Sequence, residues 1–155
     1  IMGLNIGQLW QLSLLFLKNL FLVFPTLKAT KKTFAICNDL FGQEHQKSNR
    51  ANAFRHIIWN ILICKNSMQI LKNKQKSVFW AQKLTDLYEK VTQNEVLDEA
   101  MDLHNNAVGR MYFLNLIDKS EAEIIDYVMT KMKNAQKVTA IQEMSRFKTS
   151  LVYIE

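Results

Sequence analysis

Asn52-Ala53-Phe54-Arg55-His56-Ile57-Ile58-Trp59-Asn60 decides how this chain folds. Read with a period of 3.6 it is a helix, on which Phe54, Ile57 and Ile58, followed by Ile61 and Leu62, make a wide apolar face. Asn52, His56 and Asn60 fall on one line at i, i+4 and i+8, with Arg55 and Trp59 beside it. Polar groups on an otherwise oily helix are costly to bury unless each finds a partner. The partner stretch is Met101-Asp102-Leu103-His104-Asn105-Asn106-Ala107-Val108-Gly109-Arg110. As a helix it puts Asp98, Asp102, Asn105, Asn106 and Gly109 on one face. The two helices are expected to face each other and enclose one polar site, with Gly109 permitting a close approach.

Composition agrees with helices. Four Gly and one Pro among 155 residues leave little material for hairpins and long loops. A 48% hydrophobic chain of this length supplies the core of one domain, expected to span residues 1–155. The formal charge of +6 is uneven: residues 1–50 carry Lys18, Lys28, Lys31, Lys32, Lys47 and Arg50 against Asp39 and Glu44. An excess of this size is ordinary for a soluble surface. Aromatic and basic residues do not interleave, so nucleic acid is not expected as a partner. Cys37 and Cys64 make neither a disulfide framework nor a metal-ligand spacing, and read as buried thiols.

Residues 9–24 (LWQLSLLFLKNLFLVF) are the most apolar run. It is short and interrupted for a spanning helix, which wants about 20 apolar residues. No basic residue precedes it and no small-residue cleavage site follows, so it is no convincing signal peptide. A cytoplasmic protein, or one exported by a signal-independent route, is the corresponding expectation. The run reads as a core helix stopped by Pro25 and packed near Ile57, Trp59 and Ile61. A protein partner or a membrane surface is the other way to cover it. Thr26 would cap a second helix over 27–41, ended by Gly42. Ser48 or Asn49 caps the central helix, which runs to about Asn66. Further helices are expected over 68–92 (with 71–77 a possible turn), from Asn94 or Glu95 to 116, and after the capping box Ser120-Glu121-Ala122-Glu123. Leu151-Val152-Tyr153-Ile154 has strand propensity but no evident partner. The sum is an all-α domain, an irregular bundle of about six helices.

The three histidines, His45, His56 and His104, lie in or beside the two polar stretches. Imidazole moves protons near neutral pH or binds metals. In the metal-free scheme His56 is the general base, Asp102 orients it, and Arg55 or Arg110 holds an anionic group. Asn52, Asn60, Asn105 and Asn106 position the substrate. His104, two residues from Asp102, is a weaker catalytic candidate, since a regular helix cannot aim both into one cleft. No HExxH-like motif is present, so no cofactor is assigned. A divalent metal would have to draw on His45 and Glu89 beside His56 and Asp102. A buried network that merely pins two helices in register accounts for the same residues.

The pair NAFRHIIWN and MDLHNNAVGR resembles an uncharacterised bacterial domain family, a domain of unknown function with NAFRHxxWN and MDLHNNxxGR motifs. The resemblance spans roughly residues 42–110, and the tail LVYIE is similar to that of small Bacteroidetes members. It implies that Asn52, Arg55, His56, Trp59, Asn60, Asp102, His104, Asn105, Asn106, Gly109 and Arg110 are signature residues. Members that form C-terminal modules of toxin-like proteins imply an effector-type activity without identifying it; with the His/Asp/Asn/Arg site, the first expectation is a small hydrolase-like or effector-like protein. The competing class is a non-catalytic binding module, an immunity or adaptor protein. One departure counts against a metal: the family pattern has a His-Glu pair between the motifs, and this chain has Tyr88-Glu89, so a metal site lacks that His or leaves His45 to fill the role.

Overall fold

The computed structural model describes residues 6–92 and 95–155, and the chain among these is almost entirely helical. Its helices are α1 (Ile6–Leu17), α2 (Leu20–Phe41), α3 (Arg50–Leu71), α4 (Lys74–Thr92), α5 (Val96–Asn115), α6 (Glu121–Lys133) and the single turn α7 (Ile141–Met144). A 3-10 turn (Glu44–Gln46) precedes α3. Two short strands, β1 (Gln136–Lys137) and β2 (Val152–Tyr153), pair in parallel.

Helix α3 is the axis of the bundle, touching α2, α4, α5 and α6. The Asn49 side chain starts it by accepting from the N–H groups of Ala51 and Asn52. Ala53, Phe54, Ile57, Ile58, Ile61, Ile63 and Cys64 are fully buried. A helix apolar on every side belongs at the centre of a fold, and its neighbours supply the amphipathic outer layer. Phe54, Ile57 and Ile61 join Phe113, Val108, Ile124 and Leu84 in the main core.

The α3–α5 contact is the tightest place in the bundle. A Cβ at Gly109 would lie 2.7 Å from the Ile57 carbonyl oxygen and 2.9 Å from its Cα. Only glycine lets the two backbones meet there. This close approach brings the polar lines of α3 and α5 within hydrogen-bonding reach.

Four expectations change. The first break falls at Lys18 and Asn19, where the Asn19 amide donates to the Leu15 carbonyl at 2.9 Å. Pro25 therefore does not stop a helix. It sits inside α2, where the lost hydrogen bond falls on the carbonyl of the exposed Phe21. Thr26 is not a cap but a buried acceptor for the Trp80 indole at 3.0 Å. Helix α3 continues to Leu71, and only Lys72 and Asn73 separate it from α4. The expected α5 start at Asn94 or Glu95 holds at Glu95, the N-cap residue, while Asn94 lies outside the described residues.

The C-terminal tail also finds partners. β2 pairs with β1, Gln136 opposite Val152, and the Asn105 side chain both accepts from Val152 N–H at 3.0 Å and donates to its carbonyl at 2.9 Å. Helix α1 lies chiefly against α4 and α2, with Leu15 buried and Phe16 against Trp80. Its main neighbours are thus α4 and α2 rather than the expected α3, which packs chiefly with α5, α2, α4 and α6. Among the described residues no helix is long and apolar enough to cross a membrane.

Candidate functional site

Three helices each contribute to one buried polar cluster: Arg55, His56 and Asn60 from α3, Thr85 and Glu89 from α4, and Asp102, Asn106 and Arg110 from α5. A guanidinium only donates, and this fixes every other orientation. Arg110 donates to the Asn60 side-chain oxygen at 3.2 Å and to the Thr85 hydroxyl at 3.1 Å. The Asn60 amide nitrogen must then donate, and it does so to the His56 carbonyl at 3.0 Å and to Asn106 Oδ1 at 2.7 Å. With its oxygen so placed, Asn106 donates its own amide to Glu89 Oε1 at 2.8 Å. His56 Nδ1, 3.0 Å from Asn106 Oδ1, is therefore the protonated nitrogen. The lone pair of His56 belongs to Nε2.

That nitrogen faces Arg55 Nη2 at 2.8 Å and Asp102 Oδ1 at 3.2 Å. His56 Nδ1 is also 3.5 Å from Glu89 Oε1. One ligating atom each from His56, Glu89 and Asp102 lies within 4.8 Å of the others, and among the described residues this is the group with metal-binding geometry. The cluster forms part of the wall of an open cavity of about 400 Å³, lined also by Asn52, Tyr88, Glu95 and Asp98. Asn52 is buried there with its side-chain oxygen unpartnered, as is Arg55 Nε. The wall carries Glu89, Glu95, Asp98 and Asp102 against Arg55 alone, an acidic hollow in a chain of net charge +6.

A model of the family described as a domain of unknown function (DUF6973) matches residues 13–136. The chain belongs to the DUF6973 family. No curated protein and no solved structure matches it. The DUF6973 match takes in all three helices that build the cluster, together with both polar stretches.

Electrostatics in this DUF6973 cluster follow from burial. The Glu89 carboxyl is pushed up to about 7, burial outweighing the Asn106 hydrogen bond and the Arg55 charge. Burial, reinforced by the Glu89 charge, raises Asp102 to about 8. Burial and then the Arg55 charge hold His56 well below its ordinary value, so its imidazole is neutral. The two carboxyls, raised by burial, hold protons readily, while the imidazole resists protonation and keeps a neutral lone pair available to a cation.

The expected site residues divide. His56, Asp102, Arg55 and Asn52 line the cavity. Asn60, Asn106 and Arg110 lie behind it, with Arg110 hydrogen-bonded to Asn60 and Thr85 and 3.9 Å from the Asp86 carboxylate. Asn105 turns to Val152 and His104 Nε2 to the Ser150 carbonyl at 3.0 Å, both on the side of α5 that meets the C-terminal segment. The two-residue offset from Asp102 sends His104 there. His45 is buried between Asn38, at 2.8 Å, and the Phe34 ring, apart from the metal-binding group. Glu89 is the residue that sequence undervalues. With Thr85 it forms an i, i+4 polar pair on α4, the pattern that marks the central helix, but a lone pair on a charged helix reads as surface.

Proposed function

We propose that this DUF6973 protein is a metal-assisted hydrolase of the effector type, with a divalent cation held by His56, Glu89 and Asp102. The observation that carries the reading is the convergence of one imidazole and two carboxylates within 4.8 Å beside an acidic cavity. Ligand atoms at metal–ligand distances of about 2.1 Å stand about 3.0–3.4 Å apart around one ion. His56 Nε2 and Asp102 Oδ1 are 3.2 Å apart. The mixed nitrogen and oxygen donor set suits Zn²⁺ or Mn²⁺. Such an ion supplies an activated water and polarises a carbonyl or phosphoryl oxygen. Arg55 would turn from His56 into the cavity to hold the negative charge of the substrate, and Asn106, accepting a hydrogen bond from Nδ1–H, keeps the lone pair of His56 on Nε2.

A second reading has its own observation. Arg55 Nη2 stands 2.8 Å from His56 Nε2, where it already neutralises the cluster. Without a metal, His56 Nε2 is a general base, protonated Asp102 a general acid and Arg55 the anion holder.

The test uses chelator-treated protein with Zn²⁺, Mn²⁺ or no metal, and chromogenic ester, phosphodiester and peptide probes. Cleavage of one bond class that needs the cation and is lost in Asp102→Asn, with the melting temperature kept within about 3 °C, supports the metal reading. Cleavage undiminished by chelator favours the metal-free one. No cleavage of any class, with several kcal/mol lost in Asp102→Asn, returns these residues to the structural network of a non-catalytic immunity or adaptor module.

A further inference from the structure

From the N-terminal face we infer a second functional surface, independent of the buried cluster: a docking face for an anionic lipid bilayer, formed by α1 and the first half of α2. Helix α2 buries Leu22, Pro25, Thr26, Ala29, Thr33 and Ile36. Its opposite side carries Leu20, Phe24, Leu27 and Lys31 at i, i+4, i+7 and i+11, with Phe21 and Lys28 alongside. Phe21 is 85% exposed and Phe24 76%, and Trp10 and Leu17 of α1 are 63% and 62% exposed. Large aromatic and aliphatic side chains set together in water mark a surface that another phase or partner covers.

Charge decides between occupants. Phe24, Leu27, Lys28, Lys31 and Lys32 line one open hollow of about 800 Å³, so the apolar and basic groups share a surface. Lys32 pairs with Glu121 at 2.9 Å, whereas Lys28 and Lys31 have no carboxylate partner among the described residues. The first acidic residue of the chain is Asp39, which leaves four lysines and no carboxylate in residues 1–38. A second copy seated on this face would bring Lys28 and Lys31 twice to one interface, where Glu121 also lines the hollow but is already paired with Lys32. An anionic bilayer answers both needs. Leu17, Leu20 and Phe21, which line one hollow, enter with Phe24 the boundary between headgroups and acyl chains, and the lysine ammonium groups beside Phe24 reach the phosphates. Among the described residues no helix is long and apolar enough to cross a membrane; the face lies on it.

Flotation of the full chain with phosphatidylcholine vesicles, with and without phosphatidylglycerol, tests this. Binding should require phosphatidylglycerol, fall at least tenfold in F21S/F24S, and fall about fivefold for each of Lys28 and Lys31 replaced by Gln. These side chains are exposed, so the variants should keep the parent melting temperature. Absence of vesicle binding by the folded parent chain overturns the proposal. So does a dimer in solution that F21S/F24S disperses, which would assign the face to self-association.

Discussion

Gly109 on α5 stands directly against the Ile57 carbonyl of α3, 2.7 Å from the position its missing Cβ would take. The neighbour is backbone and cannot rotate away. Gly109→Val should therefore force the helices apart and cost about 2–3 kcal/mol by overpacking, read as a lower denaturation midpoint with an unchanged slope. A neutral substitution would mean that the helices are not held at this distance.

Asn106 is the junction of the cluster, accepting from Asn60 and His56 and donating to Glu89. Asn106→Leu keeps roughly the shape but strands three buried polar groups. The expected loss is at least about 2 kcal/mol, together with loss of the cation affinity that depends on the His56 tautomer. A variant as stable as the parent, measured by urea unfolding, would show that the network is not formed.

How far this was legible beforehand depends on pattern length. The central helix, Gly109 as a point of approach and the Ser120 capping box all follow from spacing, and the structure has them. The joining of His56 to Asp102 followed from pairing two polar lines. Sequence offers Glu89 only as a possible ligand beside His45; its burial is not legible there, because it comes from packing of α4 against α3 and α5, which no local pattern records. The break at Asn19 rather than Pro25 escaped for a related reason: a proline early in a helix costs little when the carbonyl it deprives faces water. The strand pair of the tail depends on Asn105, a long-range contact.

Burial raises Glu89 to about 7 and Asp102 to about 8, so the folded state keeps protons that the unfolded state has released. Stability from these groups is complete below the ordinary carboxylate range and is lost as pH rises through 7 and 8. His56, held below 6.5, acts the other way, since the unfolded imidazole takes up a proton in acid. Above its ordinary value only the carboxylates remain. The melting temperature in chelator should fall between about pH 6.5 and 8.5, and Asp102→Asn should flatten that fall. A parent curve that rises over this interval would contradict the placement of the two carboxylates.

Asn105 sits on the same helix as the cluster but serves the tail through its two hydrogen bonds to Val152. Asn105→Ala should cost about 1–3 kcal/mol and speed hydrogen exchange at Val138, whose amide donates to Tyr153 at 2.9 Å. Cation binding should be untouched. A variant that loses the cation while the tail stays protected would move Asn105 into the site.

The central claim is that His56, Glu89 and Asp102 hold one divalent cation, and calorimetric titration of Zn²⁺ or Mn²⁺ into chelator-treated protein tests it most directly. The account predicts one ion per chain, protons released on binding because the carboxyls are partly protonated near neutral pH, and binding abolished in His56→Ala, Glu89→Gln and Asp102→Asn while each variant remains folded. A folded parent that takes up neither ion, or one that binds equally well in all three variants, would contradict it.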